Sequence, residues 1–101
     1  MSPPLVVATK LEAWHGRGRG DVLLSLDVHD IVALVDGRPE LADEVASERE
    51  DVRDAVRDGL AGLLSVAHVD YVIAGAVAGY GAAAVSRAEI VLARLERLAG
   101  G

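Results

Sequence analysis

The sequence contains no cysteine and no phenylalanine, and only 3% of its residues are aromatic. Without cysteine the protein can form no disulfide framework, no thiolate metal site and no thiol nucleophile. The scarcity of aromatic side chains excludes stacking platforms for unpaired bases. Because the N-terminal residues also lack the hydrophobic segment of a signal peptide, we expect a cytoplasmic protein with a core of Ala, Val, Leu and Ile.

Positive charge and long hydrophobic runs are also scarce. The net charge of −6 argues against a broad nucleic-acid-binding surface, because phosphate binding needs clustered Lys and Arg. The uncharged stretch at residues 71–85 is shorter than the roughly 20 residues that span a bilayer. The histidines show no spacing typical of a metal site. We therefore expect no membrane insertion, no strong nucleic-acid binding and no metal ligands in this chain.

Hydrophobic residues make up 51% of the 101 positions, which is enough for one small core. Their spacing follows the helical period along most of the chain, and no segment predicts a strand. We predict an all-α fold in which about five helices form a small irregular bundle without a sheet. The whole chain, residues 1–101, is expected to form a single helical domain.

Proline, glycine and serine residues mark the boundaries of the first predicted helices. Pro3 and Gly16 begin and end the first helix, because proline fits the first turn and glycine favours the C-terminal end. Ser25 is expected to cap a second helix that ends at Gly37. Pro39 begins a third helix.

The later boundaries rest on two capping-box motifs. The third helix is expected to break near Ser47, where Ser47-x-x-Glu50 would begin a further helical segment. A short helix is expected at about residues 70–78, followed by a loop, because glycines lower the helix propensity there. Ser86-x-x-Glu89 then predicts the start of the final helix.

Lys10 is the only lysine in the sequence. On the predicted first helix its neighbours at helical spacing are apolar: Val6, Val7, Ala13 and Trp14. A lysine amine that is buried without a partner costs free energy. We therefore expect the amine either to extend past the apolar rim into solvent or to meet an acidic group.

Two aspartates are candidate partners for this lysine. Asp27 and Asp30 lie one turn apart on the second predicted helix, opposite its apolar stripe. We expect both carboxylates to face outward, and one of them to pair with Lys10 where the first two helices pack. Leu34 lies on the same side as the acids, which is unusual for a solvated face. This leucine predicts a partner on the first two helices, either a second copy or a separate catalytic subunit.

These residues carry a resemblance to a known family. The succession of ATKLEA, a Gly/Arg turn, D-x-x-D-I and D-G-R-P-E-L resembles the C-terminal helical part of AbiEii-type nucleotidyltransferases, toxins of abortive-infection and toxin-antitoxin systems. In that family a lysine in a K-L-x-A helix is followed by an arginine and then by D-x-x-D. The matching positions here are Lys10, Arg17 or Arg19, Asp27 and Asp30.

The resemblance is clearest over residues 7–41. We assign residues 1–66 to the family's C-terminal helical region and residues 67–101 to a C-terminal helical pair. The family's metal-binding half carries a G-S element followed by D-x-D or D-x-E, and this chain contains no such element. The resemblance therefore covers only the helical portion of such an enzyme.

What the resemblance implies is phosphoryl chemistry, in which cations and metal ions stabilise charge on a nucleotide phosphate. Lys10 would act as a point cation on the triphosphate, while Asp27 and Asp30 would position Lys10 or the acceptor. Arg17 or Arg19 would contact phosphate. Mg²⁺ and a nucleoside triphosphate are expected only where the metal-binding half is present, and the isolated chain is expected to be inactive.

Two hypotheses follow from these observations. The chain is either the helical portion or a split subunit of a nucleotidyltransferase-like protein, or a stand-alone helical interaction module or non-catalytic remnant. Under the second hypothesis, Lys10 and the two aspartates only join two helices. A neighbouring reading frame that encodes a G-S…D-x-D segment would favour the first hypothesis.

Overall fold

The computed structural model describes residues 2–17, 25–66 and 69–100, and these ranges contain helices but no strand. The predicted all-α fold is therefore confirmed. The described residues form six α-helices and one 3₁₀ helix, which spans Ala78–Ala83. The α-helices are α1 Pro3–Gly16, α2 Leu26–Gly37, α3 Leu41–Ala46, α4 Glu50–Leu64, α5 Val69–Ala76 and α6 Ala84–Gly100.

The starts of α1 and α2 follow from local sequence. The hydroxyl of Ser2 accepts a hydrogen bond from the Leu5 amide at 3.4 Å, and Pro3 occupies the first turn. The hydroxyl of Ser25 accepts from the Val28 amide at 3.2 Å, so the predicted cap of α2 is confirmed. In both helices a serine satisfies one of the amides that the first turn leaves free.

The two predicted capping boxes are wrong, although the break after α3 is confirmed. Ser47 lies just beyond the C-terminal end of α3, where its hydroxyl donates to the Asp43 carbonyl at 3.1 Å. The residue that precedes α4 is Arg49, and no side chain caps it. Ser86 lies inside α6, which begins at Ala84 directly after the 3₁₀ helix. A serine hydroxyl can donate to a free carbonyl at the end of a helix instead of capping the start of the next one. The Ser-x-x-Glu motif alone therefore does not determine where a helix begins.

The core lies where α1, α2, α4 and α6 meet, and α5 covers one side of it. Its largest fully buried side chains include Trp14, Leu11, Ile31, Leu60, Leu63 and Leu95. Helices α1 and α4 approach closely, because a Cβ atom at Gly59 would lie 2.8 Å from Leu11 Cδ1. Trp14, which neighbours Lys10 on α1, is 2% exposed and belongs to this core.

The apolar face of α2 is buried inside this chain. Val28, Ile31, Val32 and Val35 are at most 1% exposed, and Leu34 is half-buried against the same core. The position of Leu34 beside the aspartates is therefore explained by contacts within the fold. A partner on α1 and α2 stays a prediction, but Leu34 no longer supports it.

The segment between α5 and α6 reverses the chain. Gly81 has a φ of +61°, a left-handed conformation that side chains other than glycine adopt at a cost. Across the described ranges no single helix is long and apolar enough to cross a membrane. Helices α4 and α5 have the length and apolar composition of a membrane span only when taken together, and the chain bends by 102° between them.

Candidate functional site

Lys10 and the two predicted aspartates meet where α1 packs against α2. The Lys10 Nζ atom lies 2.8 Å from Asp30 Oδ2 and 3.8 Å from Asp27 Oδ1. The predicted pairing of Lys10 with these carboxylates is therefore confirmed. The lysine and its hydrogen-bonded aspartate are 20 positions apart in sequence, so the packing of the two helices creates the contact.

Arg17 joins the same group of side chains. It follows the last residue of α1, and its Nη1 atom donates a hydrogen bond to Asp27 Oδ2. Asp27 thus receives one cation on each carboxylate oxygen. Of the two arginines that the sequence offered, Arg19 lies outside the described residues. We call Lys10, Arg17, Asp27 and Asp30 the Lys10 cluster.

The two aspartates differ in burial, which the sequence did not predict. The side chain of Asp30 is 55% exposed and faces outward as expected, but that of Asp27 is only 11% exposed. The prediction for Asp27 is wrong because α1 and Arg17 cover the first turn of α2. A negative charge in that first turn is stabilised by the helix dipole and by the two cations.

Lys10 is held in its charged form. The hydrogen bond to Asp30 and the negative charge of Asp30 raise the pKa of Lys10 above its ordinary value of 10.5, with a further contribution from Asp27. Partial desolvation and the charge of Arg17 oppose this rise without reversing it. At neutral pH the amine is therefore a fixed positive charge that can bind an anion, and it cannot act as a base or nucleophile.

The charges of the Lys10 cluster balance, with two cations against two carboxylates. An anion that approaches Lys10 therefore has to replace Asp30, whose exposed side chain can turn into solvent. Arg17, at 71% exposed, remains accessible beside it. The arrangement can either join α1 to α2 as a closed network of ion pairs or, once Asp30 moves, present two adjacent cations to phosphate oxygens.

The carboxylates of this cluster do not fit a magnesium site. Asp27 is occupied by two cations, and Asp30 already accepts from Lys10. Over the part of the chain that the structure describes, no three His, Asp or Glu side chains are grouped so as to hold a metal ion. A hard divalent cation needs several oxygen ligands, so these residues offer phosphate contacts rather than metal ligands.

A second polar cluster, which the sequence did not indicate, lies at the C-terminal end of α2. The Arg87 guanidinium donates to Asp36 Oδ1 and, at 2.6 Å, to the Asp36 carbonyl. The Tyr80 hydroxyl donates to Asp36 Oδ2 at 2.9 Å, and Arg94 donates to the Asp36 carbonyl at 3.0 Å. We call Asp36, Tyr80, Arg87 and Arg94 the Asp36 cluster. Cations at a helix C-terminus satisfy free carbonyls, so this cluster has a structural role.

Comparisons with protein-family models, with curated proteins and with solved structures found no match to this chain. The resemblance to AbiEii-type enzymes therefore stays a prediction that rests on the motif residues.

Proposed function

We propose that this chain is the helical portion or a split subunit of a nucleotidyltransferase-like protein, in which the Lys10 cluster contacts the phosphates of a nucleotide or its acceptor. One observation carries the proposal. The motif side chains that the structure describes, from Lys10 to Asp30, meet in a single cluster that solvent can reach. Pairing of two helices would need only one ion pair, whereas this cluster gathers two cations at one accessible place.

The chemistry of phosphoryl transfer explains the division of roles. Negative charge spreads over the phosphate oxygens in the transition state, and positioned cations stabilise it. Lys10 and Arg17 supply those cations. Asp27, largely buried, holds both in place, and Asp30 neutralises Lys10 until a phosphate replaces it. The metal-binding carboxylates have to come from another polypeptide segment.

Binding of inorganic tripolyphosphate tests the phosphate contact without the missing half. We expect tripolyphosphate to shift the backbone amide NMR signals of α1 and of the first turns of α2. Lys10→Met should weaken this binding about tenfold, because it removes a charge-assisted hydrogen bond. Arg49→Met is the matched control, since Arg49 is an exposed cation outside the cluster. Equal weakening by both variants would show only unspecific attraction of an anion.

Activity measurements test the need for a second component. The isolated chain, incubated with Mg²⁺, each labelled nucleoside triphosphate, and tRNA or protein acceptors, should show no labelling above background. A subunit with a G-S…D-x-D segment from a neighbouring reading frame should restore labelling. Strong labelling by the chain alone, lost in Asp27→Ala, would contradict the requirement for that segment.

The second candidate is a stand-alone helical interaction module or a non-catalytic remnant. The observation that favours it is the charge balance of the Lys10 cluster, in which each carboxylate already has a cation within the chain. Under this hypothesis Lys10→Met lowers stability slightly, and tripolyphosphate shifts no α1 or α2 signal in the unmodified protein. The same NMR titration therefore separates the two candidates.

A further inference from the structure

An apolar groove lies between α5, the turn after it, and α6. It encloses about 300 Å³ and is lined by Ile73, Ala74, Val77, Val85, Ala88 and Leu92. Its floor belongs to the core, because Ile73 and Val77 are at most 2% exposed. Its rim is open, and the Val85 side chain is 74% exposed. The groove therefore presents apolar surface to solvent. Its described lining comes from α5, the turn after it and α6, and not from α1, which carries Lys10.

The charged residues that the structure describes beside this groove have one sign. The charged residues described along it are Asp70, in the first turn of α5, and Glu89 on α6. Within residues 2–17, 25–66 and 69–100, neither carboxylate has a hydrogen-bond or ion-pair partner. Asp36 and Glu44, by contrast, are each paired with an arginine. An apolar groove with two unpaired acids fits a ligand that is apolar on one face and basic at its edges.

We propose that this groove binds one amphipathic helix of a partner protein, with small apolar side chains in the groove and Lys or Arg beside Asp70 and Glu89. A groove between two packed helices accepts the ridge of a third helix. α5 has eight residues, or about 12 Å of helix, so the partner inserts apolar residues over about two turns. This proposal does not depend on the phosphate contacts of the Lys10 cluster.

A second copy of this chain is a poor occupant. Each copy carries a net charge of −6, so two copies repel each other. A symmetric pair joined at the groove would also bring the unpaired acids of one copy towards those of the other. Charge complementarity therefore selects a basic partner instead of self-association.

The test uses the full chain and three synthetic helical peptides. The first has leucine and alanine at i, i+3, i+4 and i+7 with flanking lysines, the second has glutamate in place of lysine, and the third is a scrambled lysine peptide. Affinity is measured by fluorescence anisotropy, and the site is located by amide NMR shifts. We expect only the first peptide to shift α5 and α6 signals, with an affinity that falls as salt rises.

Variants of the groove assign the contacts. The double variant Asp70→Asn with Glu89→Gln should weaken binding of the lysine peptide about tenfold and flatten its salt dependence. Val85→Ser should also weaken binding, and because Val85 is mostly exposed this variant should keep the fold. Glu96→Gln is the matched control, since it removes an exposed acid of α6 that does not line the groove. The affinity of this variant for the lysine peptide should be unchanged.

Three results would overturn the proposal. The lysine and scrambled peptides could bind equally, which would mean unspecific attraction to an acidic protein. Glu96→Gln could weaken binding as much as the double variant, which would place the peptide elsewhere. The unliganded chain could sediment as a dimer that Val85→Ser converts to a monomer, which would make a second copy the occupant. A circular-dichroism melt of each variant checks that the fold is retained.

Discussion

The two ends of α2 carry polar clusters of similar composition but opposite electrostatic setting. The Lys10 cluster lies at the first turns, where the helix dipole already favours a carboxylate, and the Asp36 cluster lies at the last turn, where the dipole opposes one. The Asp36 carboxylate therefore needs Arg87 and the Tyr80 hydroxyl, while Arg94 donates to the Asp36 carbonyl. The carboxylates of the Lys10 cluster need less of this stabilisation, because the helix dipole already favours them.

Exposure follows the same division. In the Asp36 cluster the side chain of Asp36 is 14% exposed and that of Arg87 is 26% exposed. In the Lys10 cluster Asp30 is 55% and Arg17 is 71% exposed. Asp27, at 11% exposed, is as enclosed as Asp36, so the two clusters differ in Asp30 and Arg17, which stay near solvent and can exchange partners. This contrast supports a binding role at the first end of α2 and a structural role at the second.

The largest effect is expected from Asp36→Ala. Removal of this carboxylate leaves the partly buried Arg87 without its ion pair and Tyr80 without its acceptor, so the free energy of unfolding should fall by about 2 kcal/mol. Urea unfolding followed by circular dichroism measures the change. Glu96→Ala, an exposed acid on α6, is the control and should stay within about 0.5 kcal/mol of the unmodified protein.

Asp27→Ala should have a smaller effect, about 1 kcal/mol by the same urea measurement. The variant loses a favourable charge in the first turn of α2, but Lys10 and Arg17 can turn to water when their partner is removed. The contrast between the two ends of α2 fails if Asp27→Ala destabilises the protein more than Asp36→Ala does.

Asp30→Asn should change the free energy of unfolding by less than about 0.5 kcal/mol, since Asp30 is more than half exposed. Its effect on ligand binding is the sharper test. Without the competing carboxylate, Lys10 is free to meet phosphate, so tripolyphosphate should bind a few times more tightly. Weaker binding in Asp30→Asn would show that Asp30 contributes to the phosphate site instead of competing for Lys10.

The smallest expected effect is the change with alkaline pH in the stability that the Lys10 ion pairs contribute. Because the pKa of Lys10 is raised in the folded protein, its ion pairs stabilise the fold fully below about pH 10.5 and cease to do so as pH rises through the higher folded value. The difference in stability between the unmodified protein and Lys10→Met should therefore be constant from pH 7 to 9 and shrink above about pH 10.5. A difference that grows in that range would contradict the raised pKa.

Much of the Lys10 cluster could be predicted from sequence, because its geometry depends on two helices that are neighbours along the chain. The helical periodicity placed Lys10 on an apolar face and the two aspartates one turn apart, and only one packing contact was then needed to join them. Asp27 was predicted to face outward because periodicity describes one helix at a time. Its burial depends on how far α1 and Arg17 extend over α2.

The Asp36 cluster joins residues up to 58 positions apart, and no sequence motif marks it. Arg87 and Arg94 lie seven residues apart on α6, a spacing that places both on one face of the helix, but this spacing does not say which helix end they meet. The groove at α5 and α6 was likewise not predicted, because helical periodicity does not say which apolar residues the neighbouring helices leave uncovered.

The all-α fold, the cap at Ser25 and the ends of the first two helices could be predicted from sequence, because each depends on side chains within a few residues of the backbone they affect. The sequence also indicated that the Lys10 amine would either extend into solvent or meet an acidic group, since an unpaired ammonium is costly beside apolar groups. Helix packing was needed to show which carboxylates are enclosed, that Ser47 and Ser86 do not cap the helices predicted for them, and which apolar residues stay exposed. These properties depend on how closely distant helices approach, and that distance is set by packing of the whole core.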